Sequence, residues 1–163
     1  TLHTNNAIDV SNRLLDMGLE SYLLGSTLSA VIAQRLVRKV CPHCRKKEKM
    51  PEEVYKDIQK ELKDVPQNTI DRRVKKDFLK KGEFYKGEGC PRCGKTGYVD
   101  RVSITEVMEI TEEIKKIIME NKKTLTTQDV LDTQEFVTMK QDGIIKVLNG
   151  LTTMEEVLRV VNR

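Results

Sequence analysis

Four cysteines in two Cys-x-x-Cys pairs constrain the fold of this 163-residue chain more than any other feature of its sequence. One pair is Cys41 and Cys44, the other is Cys90 and Cys93, and a proline follows the first cysteine of each pair. Each such turn places two sulfurs on one side of the backbone, so that two turns can surround a tetrahedral ion. Zinc takes four thiolates in this geometry, which leaves no open position for water. The spacing therefore predicts a structural zinc site.

The cysteines admit other interpretations, which the sequence alone leaves open. A redox-active dithiol needs its pair at the start of a helix in a βαβ unit, whereas each pair here leads into a basic or glycine-rich turn. A disulfide framework is typical of secreted domains, and the sequence shows no secretory feature. His43 lies within the first pair and could replace a cysteine as a ligand, but we favour an exposed loop histidine.

Composition narrows the class of protein. Hydrophobic residues make up 38% and charged residues 33% of the chain, which is typical of a globular domain, and the aromatic content of 4% predicts an aliphatic core. No apolar run approaches the ~20 residues of a membrane-spanning helix. The sequence carries no recognisable signal peptide and begins with Thr1 rather than Met, so we expect it to be part of a longer protein.

The net charge of +4 permits acidic partners without requiring them. The main alternative function is a zinc-ribbon nucleic-acid-binding module, because clustered Lys and Arg residues could contact phosphates. Such contacts would give an affinity that depends on salt. The chain has no Trp and offers few aromatic platforms for base stacking, so we do not expect a nucleic-acid partner. The basic clusters behind the alternative are Arg35, Arg38, Lys39, Arg45, Lys46 and Lys47, and then Arg72, Arg73, Lys75 and Lys76.

Apolar periodicity predicts a mainly helical chain with a few strands. Gly18 is expected to end the first helix, Pro51 to open a helix after the first cysteine pair, and Thr111 to cap another. Thr153 with Glu156 forms a predicted capping box. The 45 residues between the cysteine pairs hold a charged helical hairpin. Predicted helices cover about 7–17, 22–34, 51–65, 69–82 and 111–118, a segment from 127 past 139 with an interruption at 143, and the residues after 153. A predicted strand covers about 34–40, and a strand or a hairpin covers about 97–110.

The residues outside the cysteines resemble the secretion and pilus ATPase family over nearly the whole chain. His3 lies in a segment similar to the family's His box, and the four cysteines resemble the metal site of its assembly and secretion branch, which the retraction branch lacks as a rule. Asp100 and Ser103 stand where the family usually has Gly, and Thr105 stands where it often has an aromatic residue or His. The matching segments are 1–5, 13–14, 17–18, 34–38, 89–90, 93, 97–98, 101, 104, 106, 142–144, 150, 152–153 and 155–157.

This resemblance implies an α+β fold, mostly α, in three segments. They are a remnant of a RecA-like ATPase core over 1–39, a four-Cys zinc module with its helical insertion over 40–102, and a C-terminal helical bundle over 103–163. The implied function is that of the C-terminal segment of a hexameric motor ATPase for type IV pilus assembly or type II secretion. The implied location is the cytoplasm at the inner face of the cell membrane, with other ring subunits and an inner-membrane platform protein as partners, and structural Zn²⁺ as cofactor.

Catalysis by this segment alone is not expected. ATP hydrolysis needs a glycine-rich loop with Lys and a magnesium-binding acid, and the chain contains no G-x-x-x-x-G-K-[ST] motif. In the family those motifs lie upstream of the His box, so ATP and Mg²⁺ are expected only in the full-length protein. His3 is the one family active-site residue present, and the resemblance implies a position near the γ-phosphate.

Overall fold

The computed structural model describes residues 4, 6–74, 83–120 and 124–162. Helices and strands both occur, and helical residues outnumber strand residues, which confirms the predicted mixture and its helical majority. The RecA-like remnant, the C-terminal bundle and the three-segment division stay predictions. None of the described helices is long and apolar enough to cross a bilayer.

The chain divides into two compact units, the first formed by Thr1–Gln34 with Thr105–Thr138 and the second by Arg35–Ile104 with Met139–Arg163. In chain order the elements are α1 (Ile8–Asp16), α2 (Ser21–Thr27), β1 (Ala30–Val40), β2 (Arg45–Lys49), α3 (Glu52–Glu61), α4 (Gln67–Arg73), β3 (Glu83–Gly87), a 3₁₀ turn (Pro91–Cys93), β4 (Tyr98–Glu109), α5 (Glu112–Glu120), α6 (Thr127–Leu131), α7 (Met139–Leu148) and α8 (Met154–Val161).

An almost wholly aliphatic core organises the first unit. Gly25 in α2 lies where a Cβ atom would come within 2.8 Å of the Met119 side chain, so α2 and α5 approach closely because position 25 has no side chain. Glu106 on β4 is buried and accepts a hydrogen bond from the Ala7 amide just before α1. The buried residues of this core are Ala7, Ile8, Leu24, Val31, Met108, Ile110, Ile114, Ile118, Leu125, Val130 and Phe136.

Strands β1 and β4 form a two-stranded sheet, and each contributes residues to both units. Along β1, Val31 and Val37 are buried whereas Ile32 and Leu36 are exposed, which is the period of a strand. The predicted helix over 22–34 is therefore wrong beyond Thr27, because its apolar residues over 28–32 suit a helix or a strand equally. The predicted strand over 34–40 is confirmed, although β1 begins earlier than predicted. Of the strand or hairpin predicted over 97–110, the structure has the single strand β4.

A second ladder, between β2 and β3, lies in the second unit. The strands run antiparallel, with Arg45 opposite Gly87 and Lys49 opposite Glu83. They flank α3 and α4, so the predicted inserted helices are present but are joined to a ladder that the sequence did not predict. All five residues of β2 are exposed and charged, and no apolar alternation marks them as a strand. The part of the predicted second helix over 75–82 lies outside the described residues.

Buried and half-buried ion pairs attach the insertion to α7. The Asp142 carboxylate is fully buried and accepts hydrogen bonds from Arg73 at the end of α4 and from Lys146 one turn further along α7. Lys140 of α7 pairs with Glu61 at the end of α3, with an N–O distance of 2.6 Å. Each of the two inserted helices is therefore fixed to α7 at its C-terminal end.

The segment from 127 onward forms two helices rather than the single long one predicted. α6 ends at Leu131 and α7 begins at Met139, so the predicted helix is wrong between these residues. Gly143 lies inside α7 and does not interrupt it. A Cβ atom at position 143 would come within 2.6 Å of Val157, so the missing side chain lets α7 and α8 pack closely.

Candidate metal centre

The two cysteine turns lie at neighbouring strand ends in the second unit. Residues 41–44 join β1 to β2, and residues 90–93 join β3 to β4. Because Arg45 pairs with Gly87, the ladder of β2 and β3 ends beside both turns. The Cys41 amide donates to the Gly97 carbonyl at 2.9 Å, which links the first turn to the residue just before β4.

All four sulfurs meet at one place, within 4.8 Å of one another. The Sγ–Sγ distances are 3.9 Å for Cys41 and Cys90, 3.9 Å for Cys44 and Cys93, and 3.7 Å for Cys90 and Cys93. A tetrahedron with Zn–S bonds of ~2.3 Å has edges of about 3.8 Å, so these positions fit a four-coordinate zinc ion. A disulfide needs about 2.05 Å, and all four cysteines are free.

Backbone amides point at the Cys93 sulfur and favour its thiolate over its thiol, whereas burial raises the pKa of the Cys44 thiol to about 12. Cys93 Sγ accepts hydrogen bonds from the amide of Cys90 at 3.2 Å and from that of Gly97 at 3.3 Å. The Cys90 amide, aided by that of Gly97, lowers the pKa of the Cys93 thiol to about 6. Cys41 and Cys93 are buried while Cys44 and Cys90 are partly exposed, so an ion here would be shielded on one side and accessible from the other.

Two glycines bring the backbones of the ladder and of β4 into contact beside the sulfurs. A Cβ atom on Gly97 would lie 2.4 Å from the Gly87 carbonyl oxygen, and one on Gly87 would lie 2.0 Å from the Gly97 carbonyl oxygen. Gly97 also has a φ of +79°, a conformation that favours glycine. Since its amide and carbonyl bind Cys93 and Cys41, Gly97 contacts both cysteine turns. Gly97 matched the family pattern in the sequence, whereas no sequence signal marked Gly87.

Besides Gly97, three nearby residues after the second pair have a backbone in the left-handed region. Gly94 and Lys95 have φ values of +60° and +62°, and the Lys95 amide donates to the Cys90 carbonyl at 2.9 Å. Asp100 has a φ of +56°. This is the position where the resembled family usually has Gly, so the departure from the family pattern falls where the backbone suits glycine.

His43, the one histidine among the described residues, does not belong to the sulfur cage. His43 is exposed, as expected for the loop histidine favoured from the sequence. The Arg92 guanidinium lies 3.0 Å from its Nδ1 atom and 3.2 Å from its Nε2 atom. This contact joins the exposed tips of the two cysteine turns. His3, the predicted catalytic residue, lies outside the described residues.

A buried carboxylate near the cage joins β1 to α8, and the sequence did not predict this contact. Glu156 is 2% exposed and accepts hydrogen bonds from the Arg38 amide at 3.0 Å, the Arg38 guanidinium at 2.6 Å and the Arg159 guanidinium at 2.8 Å. Burial alone would raise the pKa of Glu156, but the bonds from Arg159 and Arg38 outweigh it and hold the pKa below its usual range. The predicted capping box is half formed: Thr153 accepts from the Glu156 amide, while the carboxylate binds the arginines.

Known proteins match this chain over nearly its whole length. Residues 1–159 match the family model described as type II/IV secretion system protein. The chain is 35% identical over 158 residues to the type IV pilus assembly ATPase PilB of Thermus thermophilus, and 33% identical over 160 residues to PilB of Pseudomonas aeruginosa. It is 38% identical over 160 residues to the type II secretion system protein E of Aeromonas hydrophila.

The same matches cover only a part of each relative. They include 97%, 98% and 98% of this chain, but 16% of the Thermus protein, 26% of the Pseudomonas protein and 28% of the Aeromonas protein. Most of the length of these relatives therefore lies outside the region that this chain resembles.

Proposed function

Because the chain belongs to the type II/IV secretion system protein family, we propose that it is the metal-stabilised C-terminal segment of a motor ATPase for type IV pilus assembly or type II secretion. Membership confirms the resemblance inferred from residues outside the cysteines. The observation that carries the metal-stabilised part of the proposal is the sulfur cage, whose spacing suits a tetrahedral zinc ion.

In this proposal Cys41, Cys44, Cys90 and Cys93 hold one Zn²⁺ ion. Four thiolates close the coordination sphere, so the ion contributes binding free energy and no reaction. Bringing together two turns that are 45 residues apart costs a few kcal/mol of chain entropy, which grows slowly with loop length. Zinc binding at structural sites contributes on the order of 10 kcal/mol, which exceeds that cost. The module over 40–102 is accordingly proposed to depend on the ion for its fold.

ATP hydrolysis belongs to the full-length protein in this proposal. ATP and Mg²⁺ bind segments upstream of this chain, and His3 lies near the γ-phosphate. Residues 1–39 form part of a RecA-like core, and residues 103–163 form a helical region that contacts other subunits of a hexameric ring. The zinc module and this helical region also provide contacts to an inner-membrane platform protein, so the motor works in the cytoplasm at the inner face of the membrane.

The nucleic-acid-binding alternative receives less support from the structure. Lys46 forms an ion pair with Glu88 at 2.6 Å, and the Arg45 guanidinium lies 4.8 Å from the centre of the Tyr85 ring. Arg38 is engaged by the buried carboxylate of α8. Cations that already have acidic or aromatic partners are less available to phosphates. A filter-binding assay is expected to detect no affinity that falls steeply with salt.

Elemental analysis of the purified chain tests the proposed metal site. We expect one zinc per chain, lost in Cys41→Ser and in Cys90→Ser. His43→Ala is the matched control, because it changes an exposed residue within the first turn but outside the cage, and it is expected to retain zinc. A zinc-free wild-type protein, or retention of zinc by both serine variants, contradicts the proposal.

Steady-state ATP hydrolysis tests the motor assignment. The full-length protein that contains this chain is expected to hydrolyse ATP, whereas the chain alone is not. Hydrolysis by the isolated chain, or an inactive but correctly folded full-length protein, would contradict the assignment while leaving the zinc result intact.

A further inference from the structure

Strand β1, which leads into the first cysteine turn, and strand β4, which follows the second, meet the same short segment, residues 151–156 around the start of α8. Val40 directly precedes Cys41, and its amide donates to the Leu151 carbonyl at 2.9 Å. Two residues earlier, the Arg38 carbonyl accepts a hydrogen bond from the Thr152 hydroxyl at 2.8 Å. The backbone of the last residues of β1, just before the sulfur cage, is thus hydrogen-bonded to the residues that lead into α8.

The side chain of Arg38 continues this attachment into α8 itself. Its amide and guanidinium both donate to Glu156, which is buried, while its guanidinium carbon lies 4.3 Å from the centre of the Tyr98 ring. Arg38 therefore contacts the first turn of α8 and, at the same time, the first residue of β4.

Strand β4 reaches the same helix end by a separate route. Tyr98 follows Gly97, whose amide binds the Cys93 sulfur, and the Tyr98 hydroxyl lies 3.0 Å from the Thr153 hydroxyl. Thr153 is the residue whose side chain caps α8 by accepting from the Glu156 amide. The N-terminal end of α8 thus contacts the strand next to each cysteine turn. The contacting residues, Arg38 and Tyr98, each lie within five residues of a cysteine of the cage.

We propose that metal binding at the four cysteines controls the order of α8, with Arg38 and Tyr98 as the positioning residues that connect them. This inference rests on the proposed zinc site. Binding of the ion fixes both turns, the turns fix Arg38 and Tyr98, and these two side chains hold Glu156 and Thr153 at the start of the helix. Without the ion the two turns separate more readily, and α8 loses both partners of its first turn. Linkage then requires that the factor by which zinc favours the ordered helix equals the factor by which the ordered helix strengthens zinc binding. Loss of either connection is therefore expected to weaken metal binding.

Hydrogen–deuterium exchange of the full chain, compared between the Zn²⁺-loaded and the chelator-treated protein, tests the coupling. Removal of zinc is expected to speed exchange of the α8 amides on the order of tenfold, more than in α7 of the same unit. Amides of α5 in the first unit are expected to remain unchanged. Equal acceleration of α7 and α8 would show general unfolding of the unit and overturn the inference, as would unchanged exchange in α8.

Two substitutions separate coupling from a purely structural role. Arg38→Ala and Tyr98→Phe are each expected to bind one zinc at saturation but to show a smaller zinc-dependent change of exchange in α8, with a reduced zinc affinity. Lys39→Ala, on the same strand, is the matched control and should behave as the wild type. If α8 exchanges faster in these variants but its zinc-dependent change equals that of the wild type, the inference is overturned.

The same samples distinguish this inference from the function on which it rests. A wild-type chain that binds no zinc overturns both the zinc site and the coupling. A chain that binds one zinc, yet shows no zinc-dependent exchange in α8, overturns the coupling alone and leaves the metal site supported.

Discussion

Arg38 and Glu156 are joined by two hydrogen bonds across 118 positions of sequence, one from the Arg38 amide at 3.0 Å and one from its guanidinium at 2.6 Å. The two side chains differ in environment, since that of Glu156 is 2% exposed and that of Arg38 is 46% exposed. The Glu156 carboxylate therefore carries most of the desolvation cost of the pair. Its hydrogen-bond partners determine whether the buried carboxylate stabilises the folded protein.

Glu156→Gln is expected to lower the free energy of unfolding by about 2 kcal/mol, because a neutral amide replaces the acceptor of charged hydrogen bonds in a buried site. Urea denaturation of the zinc-saturated protein measures the change. The matched control is Glu155→Gln, a change in the exposed neighbouring residue, with an expected effect below about 0.5 kcal/mol. Similar losses in the two variants would show that burial of Glu156 is unimportant.

The same carboxyl group predicts a pH dependence of stability. An unfolded chain protonates Glu near pH 4.3, whereas the bonds from Arg159 and Arg38 keep Glu156 ionised to lower pH in the folded state. Its contribution is therefore complete at neutral pH and is lost as the pH falls through the folded pKa. The difference in unfolding free energy between wild type and Glu156→Gln should narrow between about pH 5 and pH 3. Both proteins have the same cysteines, so acid release of metal largely cancels, and a constant difference would contradict the lowered pKa.

Gly97→Ala is expected to destabilise the second unit by more than Gly94→Ala. Both glycines have left-handed backbones, at φ of +79° and +60°, so alanine costs about 1 kcal/mol at each. A Cβ atom at position 97 would also lie 2.4 Å from the Gly87 carbonyl oxygen, whereas a Cβ at 94 has no atom within 4 Å. We expect zinc affinity to fall in Gly97→Ala and to change little in Gly94→Ala, as measured by competition with a chromogenic chelator. Equal affinities would argue against a role for the close glycine contact.

Asp142→Asn is expected to cost about 3 kcal/mol, because Arg73 and Lys146 would lose the buried carboxylate that both contact. Limited proteolysis should then cut the insertion between the cysteine pairs faster, since Arg73 attaches it to α7. Asp71→Asn changes an exposed acid on α4 and is the matched control, with little effect expected on either measurement. Unchanged cleavage of the insertion in Asp142→Asn would contradict this role.

Asp100→Gly is expected to stabilise the chain by up to about 1 kcal/mol. The residue has a φ of +56°, which costs a residue with a side chain more than it costs glycine. Thermal unfolding with zinc present would show a higher Tm. A lower Tm would mean that the Asp100 side chain contributes more than its backbone conformation costs.

The cysteine cage was predictable from sequence because its signal is local. Two Cys-x-x-Cys turns specify a four-sulfur site wherever the intervening chain goes, and the sulfurs of Cys41 and Cys90 indeed lie 3.9 Å apart. Thr153 was predictable as a helix cap for the same reason, since the Glu156 amide that donates to its hydroxyl lies three residues along. Signals of this kind depend on neighbours in the chain, and long-range packing seldom changes them.

The network around the cage was not predictable because its partners are remote in sequence. Glu156 has the position of a capping-box residue, yet its carboxylate binds Arg38, which only the folded chain brings near. The sequence predicts helix at the start of β1 because residues 30–33 are all apolar, and such a run has no period that separates a helix from a strand. β2 was missed because the pattern that marks strands is a pattern of burial, and none of its residues is buried.

The charges of β2 have a consequence for behaviour at high concentration. Among the described residues, β2 pairs with β3 on one side alone, which leaves its other edge able to accept a strand from another molecule. Four of its five residues are cations, so a second copy laid along that edge would bring like charges together. The run of charges that makes β2 unrecognisable as a strand in the sequence therefore also opposes fibril-like pairing of this edge between molecules.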